Sequence, residues 1–174
     1  MSNIQREQRI INLALQLLEK QIKVRPYSFT SSTQTRDYLR LQLEQLEREV
    51  FMVLYLDNQH RLISSDVTAL GTISETSVYP REIVKEALAF NAAAVIVAHN
   101  HPSGIAEPSL ADHSITNKLK EVLSLIDVKV LDHFVIGHGE LVSFAERGWL
   151  YLKPPATHRP YPSKPPVQGQ TQAV

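Results

Sequence analysis

The chain has 174 residues, of which 43% are hydrophobic, and its 18 basic and 18 acidic side chains give a formal net charge of zero. This length and hydrophobic content suffice for one folded domain with a full core, whereas the balanced charge argues against a general electrostatic attraction to nucleic acid. The chain contains no cysteine, which excludes disulfides and cysteine-based zinc sites. It also shows neither an apolar run long enough for a membrane helix nor a signal-peptide core, so we expect a cytoplasmic protein without a membrane partner.

The N-terminal part of the chain predicts two helices. Residues 3–22 place apolar side chains such as Ile4 and Ile11 on one face of an amphipathic helix, and a second helix is predicted at 35–47. We favour the interpretation that both helices only pack on the core or on a partner. The alternative is a docking or dimerisation helix, which leaves the oligomeric state, including a homodimer, open. The first helix and its linker, residues 1–28, are assigned as a separate unit.

Residues 29–152 form the predicted main domain, in which strands and helices are mixed. Pro80 begins a helix, because proline is favourable in the first turn. The elements do not alternate strictly as strand, helix, strand, so the sequence predicts an α/β (α+β) fold with a mixed β-sheet flanked by helices. The predicted elements are strands at 50–56 and 61–67, a helix at 80–90, a strand at 92–98, a helix at 110–124, and strands at 128–131, 133–136 and 140–144.

The last segment, residues 153–174, is predicted to be a disordered tail. It contains six of the ten prolines and no acidic residue. Such a composition cannot bury a core of its own.

The stretch from His99 to Asp112 carries the most chemical information. His99 and His101 follow an apolar run, and side chains two positions apart on a strand project from the same face. Asp112 comes after a turn-rich loop, at the start of the next predicted helix. Two imidazoles and one carboxylate form a ligand set that leaves a fourth position to water, as in catalytic zinc sites. The sequence therefore predicts one zinc ion (Zn2+) per chain, held by His99, His101 and Asp112.

The same residues also allow a purely structural interpretation. Ser109 and Asp112 have the spacing of a capping box, in which the serine caps a helix and the acid lies in its first turn. Two histidines beside a loop are often only surface residues. The two interpretations of Asp112 are compatible, because a first-turn carboxylate can point past the helix end towards a metal ion.

The order of these residues resembles a known motif. The string His99-Asn100-His101-Pro102-Ser103-Gly104, with Pro108-Ser109 and Asp112 after it, is similar to the JAMM signature of JAB/MPN metallopeptidases and most similar to its RadC branch. The similarity covers roughly residues 30–150 and implies a JAB/MPN-like, cytidine-deaminase-like architecture. Further RadC-like segments lie at 49–51, 54–57, 71–72, 80–84, 131–133 and 142–149.

The resemblance also indicates what this chain is expected to lack. Full-length RadC-type proteins carry N-terminal helix-hairpin-helix modules, which need glycine for close approach to DNA phosphates. No glycine precedes Gly71 in this chain. We therefore expect a short form without that region, to which a DNA-repair role transfers poorly.

The resemblance implies roles for residues around the metal. Glu49 matches the general base that accepts a proton from water, with Glu47 and Glu107 as rivals. Ser109 matches the serine that donates a hydrogen bond to the oxyanion. Ser103 is expected to donate a hydrogen bond either near the metal or within its own loop.

Two other histidines are predicted to be non-catalytic. His113 should point away from the metal into solvent, and His133 should be a packed, structural histidine. Each histidine ligand is expected to use its other ring nitrogen on an acceptor that the sequence does not identify.

Three functions follow, in decreasing order of support. The first is a zinc-dependent hydrolase of the JAMM type acting on an amide bond of a peptide or protein, by resemblance a peptidase or isopeptidase. The second is a RadC-type accessory in DNA repair or a metal-dependent nuclease. The third is a binding module without activity, which the complete ligand set disfavours.

Overall fold

The computed structural model describes residues 3–24, 32–70 and 78–150. These residues form four helices and five strands. In chain order they are α1 (Asn3–Val24), α2 (Ser32–Leu43), β1 (Val50–Leu56), β2 (Leu62–Leu70), α3 (Pro80–Ala89), β3 (Ala94–Asn100), α4 (Leu110–Ser124), β4 (Lys129–Ile136) and β5 (Leu141–Ser143).

The strands form a single mixed sheet in the order β2-β1-β3-β4-β5. β1 is antiparallel to β2 and β3, β3 is parallel to β4, and β5 is antiparallel to β4. α4 supplies the crossover that a parallel pair of strands requires. The predicted α+β fold with a mixed sheet flanked by helices is confirmed.

Each face of the sheet carries its own hydrophobic core, because side chains alternate along every strand. α2 covers one face, where the buried residues are Tyr38, Leu39, Leu43, Val50, Met52, Leu54, Leu56, Ala94, Ile96, Ala98, Phe134 and Ile136. α3 and α4 cover the other face, where they are Phe51, Val53, Tyr55, Ile83, Ala87, Ala92, Val95, Val97, Leu119, Leu123 and Val128. Two covered faces explain why β1, and β3 from Ala94 to Ala98, are apolar rather than alternating.

Several predicted boundaries were wrong. The strand predicted at 92–98 is β3 at Ala94–Asn100, which places His99 inside the strand rather than after it. The strands predicted at 128–131 and 133–136 are one strand, β4. The apparent break is a register shift, because Val95 pairs with Val130 and Ile96 with Asp132, so that one residue is left over.

The helical region at the N-terminus also differs from the prediction. α2 ends at Leu43 rather than at residue 47, because the segment after it is drawn towards the end of β3, as described below. α1 contacts α2, although three of its apolar side chains, Ile10, Leu13 and Leu17, are exposed. The predicted disordered tail, residues 153–174, lies outside the described residues.

The loop after β3 is held against the end of β4 by backbone contacts. The His101 amide donates to the Ile136 carbonyl at 2.8 Å, and the His138 amide donates to the Gly104 carbonyl at 2.9 Å. A Cβ atom on Gly137 would lie 2.2 Å from that Gly104 oxygen and 2.8 Å from the Ala106 nitrogen. Only glycine therefore allows the two backbones to approach so closely.

In the described ranges, no helix is both long and apolar enough to cross a membrane.

Gly137→Ala is expected to destabilise the protein. The added methyl group forces the loop after β3 away from β4, and overpacking of this kind costs about 1–3 kcal/mol. Urea denaturation measures the change in the free energy of unfolding. Gly139→Asn is the control, since no atom lies within 4 Å of its Cβ position and asparagine tolerates a positive φ. Equal losses in both variants would contradict the close-approach argument.

Candidate metal centre

The end of β3 distributes three consecutive residues over two sides of the sheet. His99 follows Val95 and Val97 on the face covered by α4, and Asn100 follows Ile96 and Ala98 on the face covered by α2. His101, immediately after the strand, returns to the side of His99. Strand alternation thus brings the two imidazoles together, as predicted.

Asp112 is positioned by the N-terminus of α4. Ser109 is the N-cap, and its side chain accepts a hydrogen bond from the Asp112 amide while the Asp112 side chain accepts one from the Ser109 amide. The predicted capping box is therefore present. Asp112 Oδ2 also accepts a hydrogen bond from the Ser109 hydroxyl at 2.7 Å. This fixes the carboxylate at the helix end and leaves Oδ1 directed at His99.

The three predicted ligands converge at distances close to those of a tetrahedral site, with each histidine next to a different oxygen of Asp112. Nε2 of His99 lies 3.0 Å from Nε2 of His101 and 3.2 Å from Asp112 Oδ1, and His101 Nε2 lies 3.6 Å from Asp112 Oδ2. Zinc bonds of about 2.0–2.1 Å in tetrahedral geometry require ligand atoms about 3.3 Å apart. The donor set therefore fits a zinc-sized ion. Among the described residues, this is the one group of three or more metal-binding side chains whose atoms meet in this way.

The electrostatics of the site favour a cation. Burial alone would raise the pKa of Asp112, but hydrogen bonds from His101, His99 and Ser109 outweigh it and hold the pKa far below its ordinary value. The hydrogen bond to Asp112 raises the pKa of His101, against burial, and the Ile105 carbonyl and the charges of Asp112 and Glu49 raise it further. A metal ion satisfies the same carboxylate without a proton on Nε2 of either imidazole.

Both candidate histidine ligands place their outer ring nitrogen against a protein group, and the structure identifies these partners, which the sequence left unnamed. His101 Nδ1 lies 2.8 Å from the Ile105 carbonyl, and His99 Nδ1 lies 2.8 Å from Nε2 of His133. Because a carbonyl only accepts, His101 carries a proton on Nδ1, so that its neutral form directs the Nε2 lone pair into the site.

His133 is a packed histidine, as predicted. It is fully buried, and its ring stacks on Phe144 at a centroid distance of 4.7 Å and meets the edge of Phe51 at 5.6 Å. Burial holds the pKa of His133 well below its ordinary value, so that the ring is neutral. Beyond packing, it is the group that contacts the ligand His99.

Asn100 holds the segment that contains Glu49. Its Oδ1 accepts a hydrogen bond from the Val50 amide at 2.8 Å, and its Nδ2 donates to the carbonyls of Leu46 and Arg48 at 3.1 and 3.0 Å. The three bonds bracket Glu49 in the chain. They also draw residues 46–48 out of the helical path, which accounts for the early end of α2.

Glu49 itself lies beside the metal ligands. In the antiparallel pairing of β1 with β3, Phe51 is opposite His99, so the residue two positions earlier extends towards His101. The Glu49 carboxylate is partly buried and is near enough for its charge to help raise the pKa of His101. The predicted base and the predicted ligands are thus brought to one place.

The other candidates lie elsewhere or serve the loop. Glu107 is exposed and faces Arg147 at 4.0 Å, and Glu47 is exposed. The hydroxyl of Ser103 accepts a hydrogen bond from the Ile105 amide at 3.4 Å, within its own loop. The solvent position predicted for His113 was wrong, because its ring packs against Phe144 and Trp149, each with a centroid distance of 4.8 Å.

Sequence reasoning missed the supporting residues Asn100 and Thr116 and assigned His133 only a packing role. Asn100 stands inside the motif, and a buried asparagine between two ligands is a signal that could have been followed. Thr116 had no signal, because one threonine in a helix is unremarkable until its neighbours in space are known.

Comparison with known proteins agrees with this geometry. The model of the RadC-like JAB domain family matches residues 29–149. A UPF0758 protein of Leptothrix cholodnii is 58% identical over 143 residues, which are 82% of this chain and 64% of that protein. A UPF0758 protein of Cellvibrio japonicus is 66% identical over 115 residues, 66% of this chain and 51% of that protein. One of Vibrio cholerae is 53% identical over 82% of this chain and 63% of its own length. The matched segment thus spans between half and two thirds of these curated relatives, whose names describe no activity.

His101→Ala is expected to abolish tight metal binding. Protein purified without added metal should contain about one zinc per chain in the wild type and almost none in the variant, because two remaining ligands do not hold zinc tightly. Mass spectrometry measures the metal content. His60→Asn, at a turn residue with φ 59, is the control and should keep its zinc. Full retention of zinc by His101→Ala would rule out this site.

Asn100→Leu is expected to loosen the segment that carries Glu49. Loss of the Oδ1 acceptor removes a hydrogen bond of about 1–1.5 kcal/mol from the Val50 amide, so hydrogen exchange at that amide should accelerate about tenfold. NMR exchange measurements give the rate, with the mid-strand amide of Val53 as an internal reference. Equal acceleration at both amides would indicate general destabilisation instead of a local clamp.

Proposed function

Because this chain belongs to the RadC-like JAB domain family, we propose that it is a zinc-dependent hydrolase that uses water to cleave an amide bond in a peptide or protein. The observation that carries the proposal is the convergence of His99, His101 and Asp112 at tetrahedral spacing beside the carboxylate of Glu49. A structural zinc site would have a fourth protein ligand, whereas the residues that the structure describes offer three.

The three ligands differ in their access to solvent, and this leaves one side of the site open. The His99 side chain is 1% exposed, whereas those of Asp112 and His101 are 13% and 18% exposed. A zinc ion held by His99, His101 and Asp112 would acidify a water molecule and polarise a carbonyl group. Substrate and water reach the site from the side of His101 and Asp112, while His99 anchors it to the core.

Glu49 takes the role of general base in this proposal. Glu49 is partly exposed, which gives water access to it, and its charge acts on His101. It accepts the proton from the attacking water and returns it to the leaving amine. The three hydrogen bonds of Asn100 fix the backbone on both sides of Glu49, so that the base does not depend on a free loop for its position.

Ser109 has two roles in the proposal. As N-cap it orients Asp112. Its hydroxyl donates to the Asp112 carboxylate at 2.7 Å, so stabilising an oxyanion requires that hydrogen bond to be exchanged for one to the substrate. The exchange costs little if a cation takes up the charge of the carboxylate at the same time.

The surroundings of the ligands favour a polypeptide over a nucleic acid. Two large apolar side chains next to the motif, Ile105 and Leu110, are 63% and 88% exposed and offer contacts to an apolar side chain of a substrate. Nucleic-acid sites are instead lined by cations that face phosphates. Enzymes that cut phosphodiesters often use two metal ions, and the described residues hold one ligand group.

The test compares Glu49→Gln with the wild type on a peptide mixture and on an isopeptide-linked substrate, both with zinc present. We expect Glu49→Gln to keep its zinc and to lose about 10²–10⁴-fold in rate, the usual contribution of a general base. Mass spectrometry of the products and of the metal content gives both quantities. Glu47→Gln, two residues away and exposed, is the matched control and should retain activity.

The outcomes separate the alternatives. If the protein cleaves single- or double-stranded DNA in a reaction that depends on His101, and does not cleave peptides, the nuclease function is favoured instead. Full activity of Glu49→Gln would show that another group is the base. Bound zinc with no cleavage of any amide substrate would point to a binding module.

A further inference from the structure

A continuous chain of buried hydrogen bonds connects the backbone of Asp112 to the ring of His99. Thr116 Oγ1 lies 2.5 Å from the Asp112 carbonyl oxygen and 2.6 Å from Nδ1 of His133. His133 Nε2 lies 2.8 Å from Nδ1 of His99. Thr116, His133 and His99 are 2%, 0% and 1% exposed, so water does not compete for these groups.

The direction of this chain follows from the chemistry of its ends. The Asp112 carbonyl only accepts, so the Thr116 hydroxyl donates its one hydrogen there and accepts a hydrogen bond from His133 Nδ1. A neutral imidazole has one N–H, and a fully buried ring is neutral. His133 Nε2 therefore accepts, and the hydrogen comes from Nδ1 of His99.

The far end of the chain is the metal-binding atom. With its hydrogen on Nδ1, His99 has a free lone pair on Nε2, the atom that faces His101 and Asp112. The reverse direction would put a hydrogen on Nε2, and that tautomer cannot bind a metal ion. The direction set by the Asp112 carbonyl is thus the one that a metal site needs.

We propose that Thr116 and His133 are positioning residues that hold His99 in its metal-binding tautomer and orientation. This inference rests on the proposed function, since it concerns the same site. The inference adds that one hydrogen-bond network supports two of the proposed ligands, His99 and Asp112. The helix that presents the Asp112 carboxylate also supplies, through its own backbone carbonyl, the acceptor that orients the imidazole of His99.

Packing alone does not account for His133. Its ring lies between Phe51 and Phe144, where an apolar side chain would be stable without any polar partner. A fully buried imidazole is tolerated only if both nitrogens are paired. Both are paired here, one with Thr116 and one with the ligand itself.

The first experiment compares Thr116→Val with Thr116→Ser. Valine has the shape of threonine but lacks the hydroxyl, whereas serine keeps the hydroxyl and lacks the methyl group. Competition with a chelator measures zinc affinity. We expect Thr116→Val to bind zinc about 10–100-fold more weakly than the wild type, the usual effect of removing such a supporting group, and Thr116→Ser to stay close to the wild type. Equal affinity of the valine and serine variants would overturn the proposal.

The second experiment observes the tautomers directly. In zinc-loaded protein labelled with ¹⁵N-histidine, long-range nitrogen–proton NMR correlations show which ring nitrogen carries the hydrogen. We expect Nδ1–H for His99 and for His133. A hydrogen on Nε2 of His133 would overturn the proposal even if the affinities behaved as expected.

A second pair of variants guards against misfolding. His133→Gln places an amide oxygen near the position of Nε2 and can still accept from His99, whereas His133→Leu cannot. Zinc should bind more tightly to His133→Gln than to His133→Leu. The dispersion of the NMR spectra shows whether each variant is folded. Failure of the wild type to bind zinc would overturn both the function and this inference, whereas tight and equal binding by the wild type, Thr116→Val and His133→Leu would overturn only the inference.

Discussion

Strand alternation at the end of β3 is the constraint on which the candidate site depends. Three consecutive residues there serve three purposes, because each side chain faces opposite to the one before it. His99 is buried on the face covered by α4, and His101 emerges on that same side at the rim. Asn100 faces the other way and fastens the segment that precedes β1. A one-residue slip of β3 against β1 would exchange these roles and remove both the ligands and the clamp.

The second requirement is that every polar group drawn into this region finds a partner. His99, Asn100, Thr116 and His133 are all buried, and each makes a hydrogen bond whose geometry supports a ligand or the segment of Glu49. Buried networks of this kind are costly when incomplete and rigid when satisfied. Such rigidity suits the proposed zinc site, because a catalytic zinc site has only three protein ligands to define its geometry. Phe51 and Phe144 enclose the imidazoles of His99 and His133 and keep the network dry.

The loop after β3 leaves this rigid site accessible from the surface. It is anchored where Gly104 meets Gly137, yet Ile105 in the loop and Leu110 at the start of α4 are exposed. The site therefore combines one fully buried ligand with two ligands at the rim. This is the distribution expected where a substrate must approach a metal ion without disturbing the core.

By itself, the sequence determined the fold class, the existence of nearly every described element, the capping box, and the three residues that converge as a group able to hold a metal ion. These features are local: strand alternation, a proline at a helix start, and the spacing of histidines, serine and aspartate act over a few residues. The resemblance in the order of the motifs added Glu49 and Ser109, whose catalytic roles stay predictions.

Tertiary structure alone decided the rest. The pairing of β1 with β3 decided which glutamate lies beside His101. Two predicted strands proved to be one strand, β4, with a register shift inside it. The packing of α4 on the sheet placed Thr116 against His133. His113 moved from expected solvent into an aromatic cluster for the same reason. Such contacts join residues tens of positions apart, and no local pattern encodes which face of one element will meet which face of another.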